Sequence, residues 1–227
     1  MSDQVPDSAA ASPAPASAVP APQFAGRSGR AIALFVLVIV ATLAVDLGLK
    51  YWSFNHVAGR PVVLTDEVTQ SHFDFWSKYP HDPTIIVPKV LHLRLTTNTG
   101  AVFGLGKGNR LVFIAVSLVA TGVIGLMFWR SPAGAWGMHL ALGLILAGAL
   151  GNLYDRVVYS AVRDMLHMLP GIHLPFGLSW PGGISEVWPW IFNPADVALL
   201  AGVGLVLIAT WRSEAGSKRA SGATPKK

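Results

Sequence analysis

Residues 148–165 read GALGNLYDRVVYSAVRDM. The stretch closes a long apolar run and then sets Asn152, Asp155, Arg156, Arg163 and Asp164 close behind one another. Ionisable side chains are costly at membrane depth, so such a cluster at the end of a hydrophobic segment is by default the mark of a functional site. The plainer reading is that these residues cap a helix and meet water.

The run that this stretch closes is one of four. About Ala31–Trp52, Leu111–Trp129, Trp136–Leu153 and Pro194–Trp211 are each long enough, at roughly 20 helical residues, to cross the hydrocarbon core. With 227 residues a single domain is expected, but 52% of them are hydrophobic, only 13% are charged and the mean hydropathy is +0.49. That is too apolar for a soluble domain, and the fold expected is an α-helical integral membrane protein with four transmembrane helices. The chain has no cysteine, which excludes disulfides, thiol catalysis and thiolate metal sites.

Around the spans the composition changes. Residues 1–26 hold eight Ala, five Pro and four Ser with two acids, a composition that cannot bury enough apolar surface to fold, so a disordered tail is expected. Arg27 and Arg30 before AIALFVLVIVATLAV are patterned like a signal peptide, but apolar character resumes beyond Asp46 and three more spans follow, which favours an uncleaved first span. Within it Asp46 and Lys50 are four residues apart on one helix face. They either snorkel to the interface as a self-neutralising pair or support a site.

Residues 53–110 are polar, and Val90–Leu95 (VLHLRL) alternates as a strand does, so a small sheet resting on the membrane face is expected here. His56, His72, His81 and His92 show no metal-ligand spacing and read as solvated loop histidines. The segment ends in Asn98-Thr99-Gly100-Ala101-Val102-Phe103-Gly104, a polar turn whose glycines allow close backbone approach. Residues 130–134 form a tight connection that makes spans two and three antiparallel neighbours. Gly137, Gly143, Gly148 and Gly151 give span three the small residues that close helix packing in lipid uses. Trp180, Trp188 and Trp190 lie in a Pro- and Gly-rich loop with the composition of an interfacial aromatic belt. Span four opens with Phe192-Asn193-Pro194-Ala195-Asp196, in which Asn193 is a suitable N-cap, Pro194 suits the first turn, and Asp196 can reach back to the cap.

Four spans put both termini on one side. The tails and the 130–134 loop collect Arg27, Arg30, Arg130, Arg212, Lys218, Arg219, Lys226 and Lys227, so by the positive-inside rule they face the cytoplasm. The net charge of +5 then reports topology and contact with anionic membrane lipids, with no nucleic acid implied. With this topology Asp46, Asn98, Asp155, Asp164 and Asp196 all arrive at the outer interface. The expected organisation is a cytoplasmic tail at 1–26, a four-span body at 27–212 with extracytoplasmic segments 53–110 and 156–192, and a basic cytoplasmic tail at 213–227.

The blocks NTGAVFG (98–104), GNLYDR (151–156), Val162-Arg163-Asp164 and FNPAD (192–196), with Asp46 and Lys50 upstream, together resemble lipoprotein signal peptidase, also called signal peptidase II. They stand in the family's order across the whole membrane domain. The resemblance implies a bacterial inner-membrane aspartyl endopeptidase that cleaves the signal peptide from prolipoproteins just before a diacylglyceryl-modified cysteine, without metal or cofactor. It implies four transmembrane helices with a small extracytoplasmic β-cradle. Block by block, Asp164 and Asp196 correspond to the catalytic pair, while Asn98, Gly100, Asn152, Asp155, Arg156 and Asn193 position substrate and dyad, with Asp46 and Lys50 in support. The chain departs from the family in Arg163 and Met165, where an apolar residue and Phe are usual, in Pro194, which replaces an aliphatic residue, and in longer outer segments. The first departure leaves Asp155 as a rival to Asp164.

Two carboxylates held together share a proton, one serving as base toward water and the other as acid toward the peptide carbonyl. The positive end of the fourth helix favours charge on Asp196, which makes it the preferred base. A proton- or ion-coupled transporter would also keep carboxylates in its spans, but would want them near the midplane, where this chain is almost purely apolar. A non-catalytic scaffold explains the glycines and leaves the clustered aspartates and asparagines unexplained. Neither the identity of the lipoproteins cut nor the oligomeric state is legible in the sequence.

Overall fold

The computed structural model describes residues 23–65, 68–69, 72–100 and 110–222. In chain order they form α1 (Gly29–His56), α2 (His72–Lys78), β1 (Thr84–Val87), β2 (Leu91–Asn98), α3 (Arg110–Arg130), α4 (Trp136–Tyr159), β3 (Val162–Met168), β4 (Ile191–Phe192) and α5 (Pro194–Gly222). Four helices are long and apolar enough to cross a membrane: α1, α3, α4 and the Pro194–Arg212 part of α5. The four expected spans are therefore present, and three of them run further than expected. Ser28, whose hydroxyl accepts from Ala31 N, starts α1, which continues to His56. α4 passes Leu153 and stops at Tyr159, where Ser160 takes a left-handed conformation (φ 62°). Asp155 and Arg156 are thus helical, and the segment between this helix and the fourth span begins after Tyr159. α5 continues through the first part of the expected tail, because Ala, Glu, Lys and Arg favour helix even where the apolar pattern has ended.

α4 is the central helix, packed on α1, α3 and α5. Its glycines explain the closeness. A methyl group at Gly148 would meet the Ala195 carbonyl and Leu199 of α5, and one at Gly151 would run into the Asp46 carboxylate of α1. Gly143 faces Val38 and Phe35 in the same way, whereas nothing lies near Gly137. Lipid tails supply no hydrophobic drive between helices, so close van der Waals approach over small residues is what joins them.

At one end of the bundle Phe35 of α1 stacks on Phe128 of α3, with ring centroids 4.0 Å apart, and His139 of α4 meets the same ring edge-on at 5.2 Å. The unstructured tail was expected to run to residue 26, but its last residues are packed here. Ala25 N donates to Ser131 O (2.8 Å), Ala133 N donates to Gln23 O (2.8 Å), and Ala25 and Gly26 are buried. Small residues let this stretch lie against Trp129, and backbone pairing with the 131–134 connection satisfies its amides. Residues 1–22 lie outside the described residues.

At the other end sits an antiparallel sheet of order β1-β2-β3-β4. The strand expected at Val90–Leu95 is found at Leu91–Asn98, but half of the sheet comes from beyond the second span, which the 53–110 segment alone could not supply. β3 hid from period-2 reading because Val162, Arg163, Asp164 and Met165 are all buried, so both faces are covered and no alternation survives. A core of Phe54, Val68, Phe75, Tyr79, Leu93, Leu95 and Met165 joins α1, α2 and the sheet. Trp180, Trp188, Trp190 and Phe192 form a chain of edge-on ring contacts beside β4, with neighbouring centroids 4.9–6.1 Å apart.

The packing of α4 makes a direct prediction. Ala in place of Gly raises helix propensity by about 1 kcal/mol, so Gly137→Ala should leave the thermal midpoint in detergent unchanged or raise it. Gly148→Ala should lower it despite that gain, since overpacking a close contact costs about 1–3 kcal/mol.

Candidate active site

The site grows from Lys50, a fully buried ammonium on α1. It bonds to Asp46 Oδ2 at 2.9 Å, one turn back on the same helix, and to Asp155 Oδ2 at 3.2 Å and Asn152 Oδ1 at 3.2 Å on α4. Two hydrogen bonds and a second ion pair thus surround the ammonium. Asp46 and Lys50 do not snorkel: Asp46 uses its other oxygen to accept from Ala195 N (2.9 Å), satisfying an amide in the first turn of α5 that has no intrahelical partner.

Asp155 is also fully buried, and its remaining capacity goes to β3. Arg163 donates its backbone N to Oδ2 (3.0 Å) and its Nε and Nη2 to Oδ1 (3.1 and 2.8 Å). The bonds of Arg156, the sequence neighbour, go elsewhere. It turns across the helix, donating to Asn152 O (3.4 Å) and Gly100 O (3.2 Å) with its guanidinium 5.0 Å from the Phe113 ring. Adjacent residues on a helix do not face one another, whereas a strand returning eight residues later can. Arg163 stands in the cluster that the sequence singles out, but the sequence assigns it no role in the site. Its signal was the unusual cost of a buried arginine, visible only once β3 is known to be covered.

Asp164 and Asp196 occupy the space beside this cluster. Asn193 caps α5 as its sequence predicts: its Oδ1 accepts from Asp196 N (3.1 Å), and Asp196 Oδ2 reaches back to accept from Asn193 N (3.2 Å). The amide of Asn193 donates to Asp164 Oδ1 (2.6 Å) and to Asn152 Oδ1 (3.2 Å), and the amide of Asn152 donates to Asp196 Oδ1 (2.8 Å). Two asparagines therefore bridge two aspartates from α4, β3 and α5. On β2, Thr96 pairs with Asp164 in register, and the side chain of Asn98 accepts from Gly100 N (3.0 Å). Burial, reinforced by the negative charge of Asp196, holds the Asp164 carboxyl well above the usual carboxylate range.

Asp46, Lys50, Asn98, Gly100, Asn152, Asp155, Arg156, Asp164, Asn193 and Asp196 are thus brought together at one end of the bundle. Residues 101–104 of the Asn98 block lie outside the described residues. His56 and His81 bond elsewhere: His56 caps back onto Trp52 O (2.8 Å), and His81 joins Tyr79 O (2.8 Å) to Leu95 N (3.0 Å). Among the described residues no three His, Asp or Glu side chains are grouped as metal ligands. The network joins groups near one end of α1, α4 and α5 and offers no path along the bundle, so a transporter draws no support from it.

Known proteins share the sequence and the fold of this chain. The chain aligns with the lipoprotein signal peptidase of Methylorubrum extorquens strain PA1 at 35% identity over 178 residues, 76% of this chain and 82% of the relative. It aligns with that of Desulfitobacterium hafniense at 40% identity over 124 residues, 54% of this chain and 70% of the relative. A bacterial membrane enzyme solved by the in meso method shares the fold, with a TM-score of 0.56 at 24% identity over 91% of this chain and 97% of that one. The sequence profile of signal peptidase (SPase) II matches residues 38–212, so the chain belongs to the signal peptidase II family.

Proposed function

We propose that this family member works as a membrane aspartic endopeptidase that removes the signal peptide of prolipoproteins just before a lipid-modified cysteine, with Asp164 and Asp196 as the working pair. One observation carries the assignment: four acids meet here, and their partners divide them. Asp46 and Asp155 bond directly to Lys50 or Arg163, whereas among the described residues the hydrogen bonds to Asp164 and Asp196 come from asparagine amides and a backbone N. The first two are neutralised and the second two are left to share a proton. That division favours Asp164 over Asp155 as the second catalytic acid.

The steps balance without another reagent. Asp196, beside the positive end of α5, takes a proton from a water whose oxygen bonds to the scissile carbonyl carbon. Asp164 gives its proton to the carbonyl oxygen. The tetrahedral diol then collapses: the proton on Asp196 passes to the departing nitrogen, the carbon–nitrogen bond breaks, and Asp164 recovers its proton. Asn152 and Asn193 hold the two carboxylates to each other throughout.

By the distribution of Lys and Arg, the termini face the cytoplasm of a bacterial inner membrane and the dyad faces outward, at the depth of the substrate's acyl chains. Residues 27–212 form the peptidase body in this reading. Reporter fusions within 131–134 should therefore read as cytoplasmic and those within 170–185 as external. The reverse pattern overturns the orientation.

Precursor cleavage by the purified protein tests the dyad. Asp164→Asn and Asp196→Asn should each reduce turnover by roughly 10²–10⁴-fold, the worth of a positioned acid–base group, and the double variant should be scarcely worse than either. Well-folded Asp155→Asn lacking all cleavage beside an active Asp164→Asn would make Asp155 the partner of Asp196. The raised proton affinity of Asp164 sets the signs of two pH effects. Cleavage should fall as pH rises through that raised value, because the acid loses its proton. Stability from the protonated group is full below the ordinary carboxylate range and fades over the same rise, so the wild-type thermal midpoint should drop there while Asp164→Asn stays flatter.

A further inference from the structure

Arg163 is buried beside the dyad and touches neither member in the hydrogen-bond network described above. Its guanidinium lies 4.3 Å from the Tyr159 ring centroid and forms a two-pronged bond to Asp155, while its backbone N holds the other oxygen of the same carboxylate. These three bonds tie β3 to the end of α4 one residue before Asp164. Charges alternate along the chain of contacts: Asp46, Lys50 at 2.9 Å, Asp155 at 3.2 Å, then Arg163 at 2.8 Å. Two negative and two positive charges sum to zero, and without Arg163 the buried sum would be −1.

We infer that Arg163 is a positioning residue for the dyad, clamping Asp155 so that β3 presents Asp164 at fixed depth and bringing the supporting cluster to zero net charge. The inference rests on the assignment of Asp164 and Asp196 made above. Nε and Nη2 of one planar guanidinium converge on Asp155 Oδ1 while the backbone N holds Oδ2, a set of bonds that supplies direction as well as charge and that a single ammonium could not match. The charged groups that act directly on the Asp164 carboxyl are Lys50 on α1, Arg156 on α4 and Asp196 on α5, while β2 presents the neutral Thr96 and Asn98; Asp46 and Asp155 stand behind Lys50, and Arg163 behind Asp155. Of the four cations and acids beyond the dyad on α1 and α4, Arg156 alone stands outside the alternating chain. Removing the charge of Arg163 therefore changes the field at Asp164 without removing any donor from it.

The test is the pH profile of kcat/KM for precursor cleavage. In Arg163→Gln the alkaline midpoint should move up, on the order of one pH unit for a unit charge felt across a partly buried site. Arg163→Lys should keep the wild-type midpoint while losing kcat, since it retains charge and loses the fork. The double variant Asp155→Asn/Arg163→Gln is neutral again and should return the midpoint toward wild type, whereas Asp155→Asn alone, with an extra positive charge, should move it down. If Arg163→Gln does not fold, the contrast between the last two variants still decides. An unmoved midpoint in folded Arg163→Gln, or a double variant that stays with Asp155→Asn, overturns the inference and leaves Arg163 as packing only. Asp164→Asn in the same assay separates the two levels: if it turns over, the dyad assignment has failed, and if it is dead while the midpoints stay put, only the role of Arg163 has.

Discussion

Everything at the sheet-bearing end of this molecule depends on how one buried ammonium is compensated. Moving Lys50 out of water carries an effective penalty of several kcal/mol that only close, fully bonded partners offset. Those partners come from elements far apart in sequence: Asp46 on α1, Asn152 and Asp155 on α4. Asp46 in turn holds the first turn of α5, and Asp155 holds β3. Satisfying Lys50 thus sets the mutual position of three membrane helices and the strand that carries Asp164. A buried ion pair of this kind adds little net stability and specifies one arrangement, because breaking it leaves a charge with no partner.

The glycines of α4 belong to the same constraint. Lys50 can reach Asp155, and Asp46 can reach Ala195 N, only if α1 and α5 approach α4 closely. Gly148 and Gly151 lie where that approach occurs: the Ala195 carbonyl sits over one and the Asp46 carboxylate over the other. Close packing and charge compensation are therefore one device, since a side chain at either position would open the spacing on which the polar bonds depend.

Placing charges in the site has a second effect, on the two acids left unneutralised. Asn152 and Asn193 each use the amide nitrogen for a dyad carboxylate, and both offer an oxygen to the surrounding network. Neutral donors orient a carboxylate without fixing its charge as an arginine would. An acid pair so held can exchange a proton, and the environment rather than residue type separates Asp164 and Asp196 from Asp46 and Asp155.

Length and hydropathy alone determined four spans, and local chemistry determined the Asn193–Asp196 cap, because both signals lie within a few turns of chain. The Asp46–Lys50 pair was equally visible from its four-residue spacing. Its burial was not, since solvent access depends on what α4 and α5 bring against it. Nor is the partner of Asp155 legible locally: Arg156 and Arg163 stand in one cluster, and only the return of β3 beside α4 brings Arg163 onto it. The β3 strand itself lacked a period because both its faces are covered, and the packed residues 23–26 looked like the tail before them because their partners lie more than 100 residues on. What the tertiary structure decided is which charges meet, and that is a property of distances between elements that no local pattern encodes.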